Sequence, residues 1–139
     1  MHSPTRIILM NAADRRVLTE WASEHRSCCV CWWPESDGRR RMEIHHLQGG
    51  AGRKHDRRNL VTLCERCHCV LHSGQVCGRY PDLDKGILLT AKRESDPEYY
   101  DPAYLASLRH KKHLGYEPSP IPQFYLDERE SNVTRARKP

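Results

Sequence analysis

At 139 residues, with 37% hydrophobic residues, a single Phe and a mean hydropathy of −0.82, the chain has the size of one ordinary domain and too little apolar material for a large core. Lys and Arg number 23 against 18 Asp and Glu, a formal charge of +5 that suits a polyanionic partner without naming one. No stretch approaches the roughly 18 apolar residues of a membrane span, and the apolar run Ile7–Met10 is too short for an export signal. The expectation is a soluble cytoplasmic protein with no membrane partner, stabilised by something besides apolar burial.

Asn11 stands where it can cap a helix over 12–25, with Asp14 in the first turn and Val17, Leu18 and Trp21 on one face. After Cys28-Cys29-Val30-Cys31, the stretch 34–41 carries Gly38 and three consecutive arginines and reads as a turn or loop. A short strand is predicted over 42–46, an exposed glycine-rich and basic loop over 49–58, a second strand over 59–63, and a helix over 65–73 stopped by Gly74. Leu83, Ile87, Leu88 and Ala91 recur at helical spacing, and Tyr104, Leu105 and Leu108 support a further helix over 102–113. Pro118, Pro120 and Pro122 predict an extended arm, and the charged residues beyond Asp127 a disordered tail. The organisation expected is an N-terminal helical arm (1–27), a core (28–76), a helical extension (77–117) and a flexible tail (118–139), a small α+β protein overall.

Seven cysteines cannot all pair, which argues against a disulfide framework. Cys28-x-x-Cys31 and Cys64-x-x-Cys67 are paired-thiolate knuckles of the kind that hold one structural Zn²⁺ tetrahedrally. Cys29, Cys69 and Cys77 lie close enough in sequence to be alternative ligands. Trp32 and Trp33, beside the first knuckle, are read as covering the small core rather than stacking on bases.

Between and beyond the knuckles lies a set of histidines. His45 and His46 end the first strand, Asn59 opens the second, and His68 and His72 are separated by about 40° on the helix, so both imidazoles can reach one metal from one face. His2, His25, His55, His110 and His113 are read as solvated surface side chains.

The run Glu43-Ile44-His45-His46, the run from Asn59 through Cys64, Cys67 and His68, and then His72 closely resemble the core of the HNH endonuclease family over residues 28–73. The segment 81–108, with Lys92-Arg93-Glu94, Asp96-Pro97 and Tyr100-Asp101, is similar to the C-terminal part of small phage-encoded HNH proteins. The resemblance implies a ββα-metal core stapled by zinc, with flanking helices and an extended C-terminal arm. It implies a metal-dependent nuclease, of phage or mobile-element association, that hydrolyses DNA to 5′ phosphate and 3′ hydroxyl ends. On this resemblance His46 is the general base, His45, His68 and His72 ligate the catalytic metal, and Asn59 orients the loop that holds the base. A histidine suits that base because its ordinary pKa, roughly 6.5, leaves it largely neutral near pH 7. His45 departs from the family pattern, in which many relatives have Asp; imidazole ligands favour Zn²⁺, Ni²⁺ or Mn²⁺ over Mg²⁺. Arg39, Arg40, Arg41, Arg53, Lys54, Arg57 and Arg58 flank these strands and are candidate DNA phosphate contacts. Two alternatives remain: a non-catalytic zinc module binding DNA or protein, and an accessory nuclease of a larger DNA-processing or packaging complex.

Overall fold

The structure, a computed structural model, describes residues 10–49, 53–74, 79–108 and 117–137. Helix α1 (Ala12–Glu24) starts where the Asn11 side chain accepts from Asp14 N at 2.8 Å, satisfying one of the free donors of the first turn. It buries only Trp21. Strands β1 (Met42–His46) and β2 (Leu60–Cys64) pair antiparallel, with Met42 opposite Cys64 and His46 opposite Leu60. Every residue of β2 is buried, whereas β1 is half-buried throughout. β2 therefore forms the centre of the core.

Chain direction turns at once from β2 into α2 (Glu65–Ser73), with Cys64 Sγ accepting from Cys67 N as the N-cap. Helices α3 (Lys85–Ser95) and α4 (Pro102–Ser107) follow, capped by Asp84 and Asp101. α3 contributes Ile87, Leu88, Leu89 and Ala91 to the core and α4 contributes Leu105. Among the described residues no helix is long and apolar enough to cross a membrane.

Three elements differ from their sequence-based bounds. β2 begins at Leu60 rather than Asn59, because Asn59 completes a single 3-10 turn (Arg57–Asn59) whose start is capped by Asp56. α3 begins at Lys85 and continues past Ala91 to Ser95, since its polar residue Lys92 is fully buried and extends the inward face. α4 ends at Ser107 with Leu108 as its C-cap, and residues 109–113 of its expected span lie outside the described residues.

The C-terminal end is the main correction. Residues 117–122 are extended as expected, but the charged segment beyond Asp127 is not a disordered tail; it belongs to α5 (Gln123–Arg137). Its charges are used internally. Arg129 Nε donates to Val30 O at 2.7 Å and its Nη2 to Cys29 O at 3.1 Å, while Asn132 Nδ2 donates to Cys31 O at 2.8 Å. Glu128 pairs with Arg66 at 2.7 Å and Arg135 with Asp37 at 3.3 Å. The extended piece lies tight against α3: Ser119 N donates to Gly86 O, and a Cβ at Gly86 would run into Glu117 O at 2.8 Å, so this crossing requires glycine.

Buried polar groups carry much of the packing. Trp21 Nε1 donates to Thr62 Oγ1 at 2.9 Å, and the indole stacks on His25 with ring centroids 3.5 Å apart. Lys92 Nζ sits 4.3 Å from the Trp21 ring and donates to Arg57 O at 2.6 Å and Leu60 O at 2.7 Å. Burial pulls its pKa down to about 8. Removing that ammonium strands two buried carbonyls, so Lys92→Ala should cost about 2 kcal/mol or more in denaturant unfolding of the zinc-loaded protein. A loss below about 0.5 kcal/mol, typical of an inconsequential surface change, would contradict this account.

His25 Nε2 meets Asp96 Oδ1 at 2.6 Å while its Nδ1 faces Trp21 O, so it is a partly buried ion-pair partner rather than the solvated side chain expected. Burial opposes protonation of His25, but the Asp96 and Trp21 hydrogen bonds hold its pKa above the usual 6.5. Burial likewise pushes Asp96 up, but His25 and Lys92 hold it below the usual 3.8. The His25 contribution is full below 6.5 and is lost as pH rises through its raised pKa. The Asp96 contribution is present above 3.8 and is lost as pH falls through its lowered pKa. The melting-temperature gap between wild type and Asp96→Asn should therefore be widest from about pH 4 to 6.5 and narrow above the raised His25 pKa; a gap independent of pH would refute the pair.

Candidate metal centres

The first cluster unites two distant parts of the chain. Cys28 and Cys31 come from the turn after α1, Cys64 from the end of β2 and Cys67 from the first turn of α2, all with 0% exposure. Their sulfurs lie within 4.8 Å of one another, and Cys31 and Cys64 are 3.8 Å apart. Four thiolates around Zn²⁺ at about 2.3 Å define a tetrahedron with edges of about 3.8 Å, so the donor set fits a structural zinc. Cys64 is driven far below the ordinary thiol range by hydrogen bonds from Cys28, Cys31 and Cys67, so this sulfur favours the thiolate a metal requires. Arg40 Nη1 approaches Cys64 Sγ at 3.7 Å and Arg66 Nη2 approaches Cys67 Sγ at 3.5 Å, placing positive charge against the thiolates. Cys29 and Cys69 stand outside the cluster, and Cys77 lies outside the described residues.

The second cluster grows from the alternation of β1. Side chains two apart share a face of a strand, and Glu43 and His45 both face α2. His45, His68 and His72 offer nitrogens within 4.8 Å of one another. His68 Nδ1 lies 2.9 Å from Glu43 Oε1, which turns its Nε2 toward His72 Nε2, 2.9 Å away one turn along the helix. A carboxylate on the far nitrogen is the usual means of orienting a metal-binding imidazole. Burial, with the neighbouring His68, His72 and Lys85 charges adding to it, lowers His45 to about 3, so its lone pair is available at neutral pH. Three convergent imidazoles with partly exposed edges are a donor set for a divalent ion with open coordination positions.

His46 projects to the opposite side. Its Nε2 lies 2.9 Å from His55 Nδ1, and burial, then His55 and Arg53, lower its pKa to about 4. Asn59, fully buried, clasps the intervening loop: its Oδ1 accepts from Gln48 N at 2.8 Å and its Nδ2 donates to Gln48 O at 3.1 Å and Lys54 O at 2.9 Å.

Residues 28–74 match the family model of the HNH endonuclease. The matched segment is about a third of the chain. Anaredoxin from Nostoc sp. is 34% identical over 53 residues, a match that covers 38% of this chain and 66% of that protein. No solved structure matches.

Around the matched segment the predicted basic residues are distributed unevenly. Arg39 pairs with Asp37, Arg41 with Glu65, Arg57 with Glu20 and Glu24, and Arg58 with Asp56 and Asp101. Arg40 lies 3.8 Å over the Trp33 ring beside the thiols. Arg53 and Lys54 are exposed and form no ion pair among the described residues. Of the two tryptophans, Trp33 is buried as expected, but Trp32 is 41% exposed with a left-handed backbone (φ 64°) and lies beside Arg129 rather than under the core.

Sequence reasoning missed four residues at the site. Glu43 and His55 carry the hydrogen bonds to His68 and His46, and Gln48 bridges Lys85 Nζ at 2.6 Å and Leu105 O at 3.3 Å. Glu43 was legible as a strand neighbour of His45; His55, Gln48 and Lys85 had no such signal. His2, His110 and His113 lie outside the described residues. Purified protein should carry zinc, and a strong chelator should unfold it, with Cys64→Ser preventing zinc retention. A circular-dichroism spectrum and melting curve unaffected by complete zinc removal would exclude a structural metal.

Proposed function

We propose that the chain is a metal-dependent HNH endonuclease with a ββα-metal core that hydrolyses DNA phosphodiester bonds. The observation that carries this reading is the end of β1, where consecutive histidines part to opposite sides: His45 joins His68 and His72, while His46 keeps a separate hydrogen-bonded place. A purely structural zinc protein has a complete four-sulfur site and no need of a second, open imidazole set.

In this reading His45, His68 and His72 hold one divalent ion, which supplies Lewis acidity at the scissile phosphate and charge neutralisation at the leaving oxygen. Glu43 holds the His68 ring in the ligating orientation. His46 takes the proton of the attacking water, and burial keeps it neutral and able to do so at pH 7. Asn59 fixes the loop across from His46 through three hydrogen bonds. Arg53, Lys54 and Lys85 are the cations placed to meet the phosphate backbone. Lys85 is steadied by Gln48 close enough to His45 for its charge to be felt there. The internally paired arginines contribute to the fold more than to phosphate binding, and contacts of this kind position a duplex without reading its sequence.

Supercoiled plasmid incubated with the zinc-loaded protein and Mg²⁺, Mn²⁺ or Ni²⁺ should be nicked or cut, and EDTA should stop the reaction. His46→Ala should slow cleavage about 100-fold or more with zinc content unchanged. Binding of DNA without cleavage under any metal would instead favour a non-catalytic zinc module.

A further inference from the structure

We propose that His55 is a positioning residue for His46, accepting a hydrogen bond from His46 Nε2 and thereby making Nδ1 the nitrogen that receives the proton. The inference rests on the nuclease reading and adds to it a residue and a choice of nitrogen.

The two ring nitrogens are 2.9 Å apart, and the rings meet edge-on at 71° with centroids 4.9 Å apart, a hydrogen-bonding rather than a stacking arrangement. One proton lies between them, so two arrangements exist for neutral rings. If His55 Nδ1 donates, His46 must carry its own proton on Nδ1, and neither of its nitrogens has a free lone pair. If His46 Nε2 donates, its Nδ1 lone pair is free. Only the second arrangement leaves a base. The proton balance then follows: a water O–H bond breaks and the proton goes to Nδ1. The electron pair stays on the oxygen that attacks phosphorus, and the ester oxygen is displaced. The Nε2 proton remains shared with His55 throughout.

His55 is itself held from both sides. Asn59 Nδ2 grips the carbonyl of Lys54 immediately before it, and Asp56 immediately after it accepts from Arg58 N at 2.9 Å to start the 3-10 turn. Asn59 thus acts on His46 at one remove, by fixing the backbone that presents His55. A histidine in a basic, glycine-rich loop gave no sequence cue to this, since only the fold brings residue 55 against residue 46.

Long-range imidazole proton–nitrogen correlation spectra of zinc-loaded, ¹⁵N-labelled protein report the tautomer directly. Wild type should show His46 protonated on Nε2. His55→Ala should give mixed His46 tautomers and lower kcat about 10- to 100-fold, as loss of an orienting partner does, with KM for DNA unchanged. His55→Asn, which offers a side-chain oxygen as acceptor, should restore the Nε2–H tautomer and much of kcat. A wild-type His46 protonated on Nδ1, or a His55→Ala protein with the wild-type tautomer and kcat, would overturn the proposal while leaving the nuclease reading intact. A wild-type protein inert with every metal would sink the nuclease reading itself and, with it, any catalytic part for His55.

Discussion

Four buried thiols set the geometry on which the rest of the molecule depends. The Cys28–Cys31 turn and the β2–α2 junction are far apart in sequence and come together at this cluster, beside the bond from Cys29 N to Thr62 O. Because Cys64 ends β2 and caps α2, holding its sulfur fixes both the strand and the helix axis. The register then does the rest: Met42 lies opposite Cys64, so the far end of β1 carries His45 toward His68 and His72. A single cluster of buried thiols therefore stands behind an imidazole cluster with which it shares no ligand.

A chain this polar cannot complete its interior with hydrocarbon alone, and the interior is correspondingly mixed. β2, α2 and α3 supply the apolar centre, while Lys92, Asn59, Arg129 and Asn132 are buried and donate to backbone carbonyls. Such groups are costly unless satisfied and specific when they are. Lys92 is an example: its ammonium closes the carbonyls of Arg57 and Leu60 on either side of Asn59, so the same helix that packs the core also holds the loop beside His46. The extension formed by α3, α4 and α5 is in this sense part of the site's support.

What was legible in the sequence was whatever obeys a short period or a fixed spacing. β1 and α2 fall at their expected bounds, the four cysteines and the His68–His72 pair assemble as their spacing suggested, and His45 joins that pair as the family resemblance implied. What was not legible depends on partners distant in sequence. The tail beyond Asp127 carries the composition of a solvated segment, yet Arg129 and Asn132 find acceptors on residues 29 to 31. The basic loops read as a phosphate-binding surface, but Arg57 and Arg58 answer to acids on α1 and ahead of α4. His25 and His55 were indistinguishable from surface histidines until Asp96 and His46 stood beside them.

The clasp of α5 on the first knuckle has a consequence for the order of synthesis. All four thiols lie at or before Cys67, so metal capture needs none of the residues that follow. The carbonyls of Cys29, Val30 and Cys31, however, acquire their donors only when residues 129 and 132 arrive. Contacts spanning about a hundred residues are slow to form because loop closure must precede them. The knuckle is thus among the first features able to form and the last to be sealed, and the docking of Arg129 and Asn132 is the event that shuts its backbone away from water.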